Sequence, residues 1–491
     1  MISKKSINQL QSILTWVLLA ATVFYTLAYL YSSWYLVPFP YFIDWCEGNM
    51  FMQSYWILLG HKMFSAPSIA YSPNLYTPLY FYVTALFTYI TGVDLIAGRM
   101  VSFLSTLGVS VLLYFFLKKE KVAPKHALIA VGLYMGMYSV SDSWYNIIRP
   151  DSLLQLLLLA GFYLLRHTKT LHGAAICGFV FALALYTKQQ GFFVIGAILC
   201  GHYFVMPKRV LVATIVFILF TIVFTLISEI ISDGWYLFYI YDVATSHGWS
   251  YGDHLLRRFY YLIPLILLST FSLFCEARQN KAEAIALFSS YMGFAVASVV
   301  GILHAGGWYN NYMPVCLALA WMGGKSLSIL SRKSHKNKYR QLLILAALAL
   351  LFVQMLLIAY NPLRHVPDKR YIAGMDHMMS VMARAKGDVF MFNLSFLQAR
   401  LGKPVYYWGS SGWDVERMRM FHPAKQMLVD SLNDALIKKK FDTLILEGWE
   451  PNRWPAIVKN YRYVGEALPP DVGFTPLAGV VSRPSQIWVR R

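Results

Sequence analysis

Long apolar runs constrain this chain more than any other feature of its sequence. Runs of about 16 to 22 residues recur along the first three quarters, close to the length that crosses a hydrocarbon layer about 30 Å thick. Hydrophobic residues make up 57% of the chain and charged residues only 14%, against about 45–50% and about 25% in a typical soluble domain. One globular core cannot bury such an excess, so the sequence predicts a polytopic α-helical membrane protein.

The positions of the basic residues orient these runs. When Lys4 and Lys5 are placed on the inner side, the first run becomes a retained span, and every loop predicted to be cytoplasmic carries Lys or Arg, as the positive-inside rule requires. The eleven predicted spans are residues 11–32, 100–117, 126–144, 152–166, 172–187, 190–206, 210–230, 259–275, 283–303, 312–330 and 341–360. The predicted inner loops are residues 118–125, 166–169, 208–209, 278–281 and 332–340.

These loops also account for the formal net charge of +19. Such a charge could indicate a nucleic-acid partner, but here the Lys and Arg residues lie between apolar runs, where they bias the loops to the cytoplasm. The sequence shows no obvious eukaryotic retention signal. We therefore expect a multi-pass protein of a bacterial inner membrane that does not bind nucleic acid.

One apolar segment is not counted as a span. Residues 76–92 are short for a span and rich in Tyr and Thr, and a crossing here would put the basic residues 118–125 outside. We predict an interfacial or re-entrant helix, since aromatic side chains favour the membrane boundary. The loops with unusual polar residues then share one outer face: residues 44–99, 144–151, 187–190, 231–258 and 304–312.

The composition changes after residue 361. Residues 388–392 and 441–446 are apolar, strand-like runs, and residues 424–440 have a helix-like pattern. We therefore predict two parts: a transmembrane part with outer juxtamembrane helices, residues 1–361, and a small extracytoplasmic α/β domain, residues 362–491. The second part shows no catalytic motif.

Two acids three residues apart, Asp44 and Glu47, mark the first outer loop. On one helical turn they would project to the same side and could act together as a base and an orienting or metal-binding acid. The alternative is that they are solvated acids capping the helix that follows. The sequence leaves both interpretations open.

Charged residues recur in the next outer loops. Asp151 follows an Arg-Pro pair at the end of a span, where it either caps the next helix or adds a carboxylate to the face that holds Asp44. Lys188 interrupts a long apolar stretch. A cation at membrane depth is costly and usually has an anionic partner. Lys188 therefore either neutralises the phosphate of a lipid carrier or snorkels to the surface.

A loop from His304 to Pro314 joins two spans on the outer face. Its glycines let the backbone approach a ligand closely, and its Trp, Tyr and Asn residues supply the stacking and hydrogen-bonding groups that sugars use. An ordinary tight loop with aromatic anchors is the alternative. The predicted substrate-binding residues are His304, Trp308, Tyr309, Asn311 and Tyr312.

The loop from Trp235 to Arg258 is long and aromatic enough to form a lid over this face. Two of its histidines, His247 and His254, lack zincin spacing, so we predict no metal site in the lid. Its acids include Asp242 and Asp253.

Taken together, these segments resemble the integral-membrane GT-C glycosyltransferases, especially the protein O-mannosyltransferases and the lipid A aminoarabinose transferases. The resemblance covers nearly the whole chain and depends on the order and spacing of the pieces, since each piece alone is weak. The matching pieces are Asp44 with Glu47-Gly48, Tyr76-Thr77-Pro78-Leu79-Tyr80 through Gly92 to Arg99, Arg149-Pro150-Asp151, Thr187-Lys188-Gln189, and Gly307 to Pro314.

The resemblance implies that a sugar moves from a dolichyl or bacterial polyprenyl phosphate to a glycan, lipid or protein acceptor at the outer leaflet. It implies that Asp44 is the base, with Glu47 and Asp151 in support, and that Lys188 and Arg99 lie near the donor phosphate. Many relatives have adjacent Asp and Glu residues, whereas two residues separate them here, so the base is Asp44 or Glu47. A divalent cation such as Mg²⁺ or Mn²⁺, held by Asp44 and Asp151, is a further expectation.

The main alternative function is transport or flipping of a lipid-linked substrate. That function predicts internal repeats and interrupted helices near the bilayer midplane. The sequence shows no clear repeat, and its polar motifs cluster outside the spans. A non-catalytic membrane subunit of an envelope assembly is a second alternative, and such a subunit would tolerate loss of the acids.

Overall fold

The computed structural model describes residues 3–250, 256–331, 338–406, 408–470 and 472–491, and it is mostly helical. The helices of the first part are α1 (Lys4–Leu36), α2 (Glu47–Leu58), α3 (Leu79–Thr91), α4 (Ile96–Lys119), α5 (Pro124–Gly136), α6 (Asp151–His167), α7 (Leu171–Leu185), α8 (Gly191–Tyr203), α9 (Pro207–Ile231), α10 (Ile263–Ala277), α11 (Lys281–Leu303), α12 (Met313–Ser331) and α13 (Lys338–Leu357). Shorter helical turns cover Trp144–Asn146, Trp235–Leu237, Phe238–Val243, Ala244–Ser246, Arg257–Leu262, Tyr309–Tyr312 and Pro362–His365.

Each predicted span coincides with a helix, but the helices differ in length. Within the described residues, seven helices are long and apolar enough to cross a membrane. Five of them are α1, α4, α9, α11 and α13, and the other two are α10 and α12, each taken together with the helical turn that precedes it. The predicted span 126–144 was too long, because α5 ends at Gly136 and turns follow it. The chain is a multi-pass membrane protein, and the count of eleven spans stays a prediction.

The segment from Tyr76 to Gly92 contains α3, which has 13 residues and is therefore about 20 Å long. Arg99, near the start of α4, donates a hydrogen bond to the carbonyl of Leu36 at the end of α1, at 3.1 Å. The end of α1 and the start of α4 thus lie at the same end of the helical bundle. This geometry favours the predicted interfacial helix over an additional crossing.

Small residues let the helices approach each other closely. A Cβ atom at Gly132 of α5 would lie 2.7 Å from the Cα atom of Thr22 of α1. A Cβ atom at Gly178 of α7 would lie 3.0 Å from the backbone nitrogen of Phe217 of α9. Because lipid is as apolar as the helix surfaces, such close packing is a main source of helix association in a membrane.

The residues after α13 form an α/β arrangement. A mixed sheet has the order β1-β2-β4-β3, with β1 parallel to β2 and β4 antiparallel to both β2 and β3. That residues 362–491 form an independent domain stays a prediction. The strands are β1 (Val389–Phe390), β2 (Thr443–Leu446), β3 (Tyr461–Glu466) and β4 (Gln486–Arg490). The helices are α14 (Lys369–Arg384), α15 (Ser395–Arg400), α16 (Gly409–Glu416), α17 (Pro423–Ile437), α18 (Glu450–Arg453) and α19 (Pro455–Asn460).

A buried charge network joins the helices at the end of the bundle that carries the basic loops. Glu120, which follows α4, contacts Arg166 Nε of α6 through Oε1 and Lys325 Nζ of α12 through Oε2, both at 2.5 Å. Arg166 also contacts Glu283 of α11 at 2.6 Å and lies 3.0 Å from His202 Nε2 of α8. We call these five residues the inner network. Part of the nearby predicted loop, from Arg332 to Asn337, lies outside the described residues.

Candidate functional site

A cavity of about 1140 Å³ lies at the other end of the bundle. Its walls come from the loops predicted to share one face, from the helical turns after α9, and from residues that follow α14. Two buried cations, Arg149 and Lys188, line it. Its apolar side includes Leu185, Phe193, Leu237, Ile240 and Val300. A cavity that joins apolar walls to buried cations suits an amphipathic anion.

Arg149 lines the cavity and is paired with Asp44, which does not line it. Its Nη2 lies 2.6 Å from Asp44 Oδ2, and its guanidinium packs 4.5 Å from the ring centre of Trp144. Among the described residues, Arg149 Nε and Asp44 Oδ1 are buried without a hydrogen-bond partner. Burial raises the pKa of Asp44 to about 6, although Arg149 acts in the opposite direction. Asp44 does not line the cavity itself, whereas its neighbours Trp45 and Cys46 do.

Lys188 repeats this arrangement on a second loop. Its Nζ lies 2.8 Å from Oδ1 of Asp151, the first residue of α6, and 5.5 Å from the ring centre of Tyr76. Asn310 Nδ2 donates to the same carboxylate oxygen at 3.0 Å. Asp151 Oδ2 has no partner among the described residues. The acid again lies behind the cation, because Lys188 and Asn310 line the cavity and Asp151 does not.

Glu47 and Arg99 form a third ion pair, which lies away from the cavity. Arg99 Nε and Nη2 hold the two oxygens of Glu47 at 2.9 and 2.7 Å, and the backbone N–H groups of Ile43 and Ile148 donate to the same oxygens at 2.7 and 3.0 Å. Burial opposes ionisation, but the Arg99 guanidinium and these hydrogen bonds hold the pKa of Glu47 below its ordinary value.

The remaining donors of Arg99 bind the carbonyls of Leu36, Phe39 and Tyr41. All five N–H groups of the guanidinium are therefore occupied. This geometry does not favour Arg99 as a ligand of the donor phosphate. Glu47 and Asp44 each bind a different arginine.

The loop from His304 to Pro314 contributes three of its five predicted residues to the cavity lining: His304, Trp308 and Asn311. The other two lie outside the lining. Tyr309 packs under the guanidinium of Arg258, 3.3 Å from its ring centre. Tyr312 is fully buried. Both tyrosines are anchors of the loop, as the alternative interpretation of this sequence expected.

The predicted lid also lies over the cavity. Tyr241 and His247 line it, and His247 Nε2 lies 2.8 Å from the carbonyl oxygen of Asp414. Asp253 and His254 lie outside the described residues. The lid region thus joins the membrane part of the cavity to the residues of the C-terminal part.

A segment before β4 closes over the first loop. The backbone of Ala478 pairs with Asp44 and donates to the carbonyl of Ile43 at 3.0 Å. Gly479 has a φ of +77° and donates to Asp142 Oδ2 at 3.1 Å. A side chain at Gly479 would clash with Asp44 Oδ1. The unpartnered oxygen of Asp44 is therefore covered by backbone from the far end of the chain.

The C-terminal part supplies one wall of the cavity, which sequence reasoning missed because these residues form no motif. We call this surface the C-terminal wall. Its residues come from the loop after β1, from the segments around α16, β2 and α18, and from the approach to β4. They are Asn393, Ser410, Trp413, Asp414, Arg417, Glu447, Trp449, Arg453, Val480, Val481 and Ser482.

The expected divalent cation finds little support in this donor set. Asp44 and Asp151 each face a cation, Arg149 and Lys188, instead of facing one another. Among the described residues, no group of three or more His, Cys, Asp or Glu side chains could hold a metal ion. We therefore derive no step through a metal, and the cation stays a prediction.

Comparisons with known proteins agree with this geometry. The family described as dolichyl-phosphate-mannose-protein mannosyltransferase matches residues 73–232. ArnT from Cupriavidus metallidurans bound to undecaprenyl phosphate is 13% identical with a TM-score of 0.59, over 95% of this chain and 97% of that chain. The same protein in the apo state is 12% identical with the same TM-score and coverage. No curated protein sequence matches the chain significantly.

An oligosaccharyltransferase from Archaeoglobus fulgidus, in complex with Zn and sulfate, is 14% identical with a TM-score of 0.47 over 75% of this chain and 55% of that chain. The similarity to ArnT shows a shared fold along nearly the whole chain. The family match includes Arg149 and Lys188. The predicted resemblance to the GT-C glycosyltransferases is confirmed.

Proposed function

We propose that this chain is a glycosyltransferase that takes a sugar from a polyprenyl-phosphate donor. The observation that carries the proposal is the pair of buried cations, Arg149 and Lys188, in a large cavity with apolar walls. Each cation has a single carboxylate partner behind it, and Arg149 Nε is left without any partner among the described residues. Unsatisfied buried donors are costly, and a bound phosphate would satisfy them. The shared fold with ArnT, solved with undecaprenyl phosphate, supports the same ligand class.

The two cations suit the departure of a polyprenyl phosphate. In the transfer, an acceptor oxygen forms a bond to C1 of the donor sugar, and the bond between C1 and the phosphate oxygen breaks. The negative charge of the leaving phosphate develops beside Arg149 and Lys188, which are fixed before the reaction and therefore stabilise the transition state. The acceptor hydroxyl gives its proton to a base.

Asp44 is the base in this proposal. Its Oδ1 has no partner among the described residues, and a pKa of about 6 lets it accept a proton near neutrality. Glu47 is less suitable, because Arg99 and two backbone N–H groups occupy both of its oxygens. Asp151 has a positioning role in which it orients Lys188. For Asp44 to reach the acceptor, the Arg149 contact has to loosen once the phosphate binds Arg149, and the backbone of Ala478 and Gly479 has to move off Oδ1.

The face on which this reaction occurs is also part of the proposal. The cavity lies at the end of the bundle away from the basic loops, which the positive-inside rule places in the cytoplasm. Nucleotide sugars are cytoplasmic, so a lipid-linked donor is the activated form available on the outer side. We infer an envelope glycan, lipid or protein as acceptor.

Binding of undecaprenyl phosphate to the purified protein tests the proposal. We expect Lys188→Ala to weaken binding at least about tenfold, since a charged hydrogen bond contributes about 1.5–3 kcal/mol. Lys208→Ala, an exposed lysine at the start of α9, is the matched control and should bind like the unmodified protein. Equal binding by Lys188→Ala would refute the phosphate site. Movement of the donor lipid across vesicles without cleavage of its sugar would favour the flippase alternative.

A further inference from the structure

Two tryptophans form an aromatic surface on the C-terminal wall. The ring centres of Trp413 and Trp449 lie 5.4 Å apart with an interplanar angle of 42°. Phe392 stacks on Trp413 at 5.2 Å, and the guanidinium of Arg453 lies 5.2 Å from the same ring. Trp449 is 47% exposed. An aromatic surface that is fixed from behind and open to a cavity is suited to bind the apolar face of a ligand.

Hydrogen-bond acceptors lie beside these rings. Trp449 Nε1 donates to Glu447 Oε2 at 2.9 Å, which fixes the ring orientation. Ser482 Oγ donates to the other oxygen of Glu447 at 2.6 Å. Glu447 and Asp414 are the carboxylates that line the cavity among the described residues. An ionised carboxylate has about four lone-pair sites, so each acid retains capacity for further donors such as hydroxyl groups.

The charged residues of this wall, two acids and two arginines, leave no excess of positive charge for an anionic ligand. Its two arginines are already paired, Arg417 with Asp414 and Arg453 with Glu416 at 2.5 Å. The described residues of the C-terminal wall thus offer acids and paired cations, whereas Arg149 and Lys188 carry the phosphate-binding chemistry elsewhere in the cavity. The two regions of the cavity recognise different chemical groups.

We propose that the C-terminal wall binds the acceptor as a neutral saccharide. The rings of Trp413 and Trp449 lie against the C–H faces of the sugar, and Glu447 and Asp414 accept hydrogen bonds from its hydroxyl groups. This assignment rests on the proposed function, because it requires the donor phosphate to lie at Arg149 and Lys188. It makes the acceptor a glycan, in preference to a phosphorylated lipid or a peptide.

Saturation-transfer NMR on the purified full chain tests the site. The probes are a panel of neutral hexose disaccharides and trisaccharides, a hexose 6-phosphate and an acidic peptide. We expect saturation transfer to the neutral saccharides. Trp449→Ala should lower the affinity for them about tenfold, and Trp449→Phe should largely restore that affinity. Trp34→Ala is the matched control, because Trp34 is 77% exposed on α1 and does not line the cavity. Thermal unfolding of each variant verifies that it is folded.

The outcomes separate this inference from the proposed function. Saccharide affinity that is unchanged in Trp449→Ala overturns the site, as does preferential binding of the sugar phosphate or the peptide. Undecaprenyl phosphate binding, measured on the same samples, should be equal in Trp449→Ala and the unmodified protein. If the unmodified protein does not bind undecaprenyl phosphate, the proposed function is wrong and the saccharide is not its acceptor. If Trp449→Ala loses only saccharide binding, the donor site is intact, as the inference expects.

Discussion

Buried charges occur at both ends of this helical bundle, but they are arranged in opposite ways. In the inner network, both oxygens of Glu120 contact cations, and Arg166 joins Glu120 to Glu283. At the cavity, Arg149 and Lys188 each bind one oxygen of a single acid. The second oxygens of Asp44 and Asp151 have no partner among the described residues.

The difference indicates how each end uses its charge. A buried ion pair offsets its desolvation only when its groups are well satisfied, and the ion contacts of Glu120 and Arg166 connect helices α4, α6, α11 and α12. The cavity end retains hydrogen-bonding capacity that the folded chain does not use. Arg149 and Lys188 line the cavity and can bind a ligand there, and the following predictions test whether the two ends differ in this way.

The largest expected effect is on catalysis at the cavity end. Asp44→Asn removes the proposed base and should lower sugar transfer about 10³-fold, within the range for general-base catalysis. Transfer of radiolabelled sugar from undecaprenyl-phosphate hexoses and pentoses, in membranes that contain the native acceptor, measures this effect. Binding of undecaprenyl phosphate should persist, which distinguishes a chemical defect from a folding defect. Full activity of the variant would rule out Asp44 as the base.

The next effect should appear in stability at the opposite end. Arg166→Ala leaves Glu120 and Glu283 without a shared cation, and loss of one partner of a buried pair costs about 3–5 kcal/mol. We expect a lower midpoint of thermal unfolding in detergent, with undecaprenyl phosphate binding per folded molecule unchanged. Arg149→Ala is the counterpart at the cavity. It also leaves a buried acid, Asp44, without its partner and should lower the midpoint, but unlike Arg166→Ala it should weaken undecaprenyl phosphate binding per folded molecule at least about tenfold. If the two variants behave alike, the distinction between the ends is wrong.

The smallest effect is a pH dependence of opposite sign for activity and stability. Burial raises the pKa of Asp44 from its ordinary value of 3.8 to about 6. Protonated Asp44 therefore favours the folded state, and this contribution is lost as the pH rises from about 4 through about 6. The base form appears over the same range, so transfer should rise with pH up to a midpoint at about 6. Asp44→Asn should flatten the stability change, and a wild-type transfer rate that is constant between pH 5 and 7 would contradict the assignment.

The sequence predicted the helical membrane part and the loops that surround the cavity, because hydropathy and basic residues report directly on the bilayer. It also identified Asp44, Asp151 and Lys188 as unusual. It did not identify Arg149 as the partner of Asp44, since that pairing depends on a contact between loops that are 105 residues apart in the chain.

Other parts of the site were hidden for different physical reasons. Glu47 was predicted from its spacing to Asp44, and Arg99 from the family resemblance. In the structure they pair with each other although they are 52 residues apart in the chain, and their roles in the reaction stay predictions. Trp413 and Trp449 belong to no local motif, and only the folded sheet brings them together. The inner network was missed because Glu120 lies in a predicted loop whereas His202, Glu283 and Lys325 lie in three different predicted spans, and only the fold brings them together.

The pairing between Asp44 and Ala478 has a consequence for the biogenesis of the protein. Residues of the loop around Asp44 emerge from the ribosome long before Ala478 and Gly479, which cover Asp44 Oδ1. The loop around Asp44 therefore stays uncovered while all of the intervening helices insert into the membrane. A nascent chain that has not yet reached Ala478 has the cations of the site but not its cover, so assembly of the site waits for synthesis of this segment.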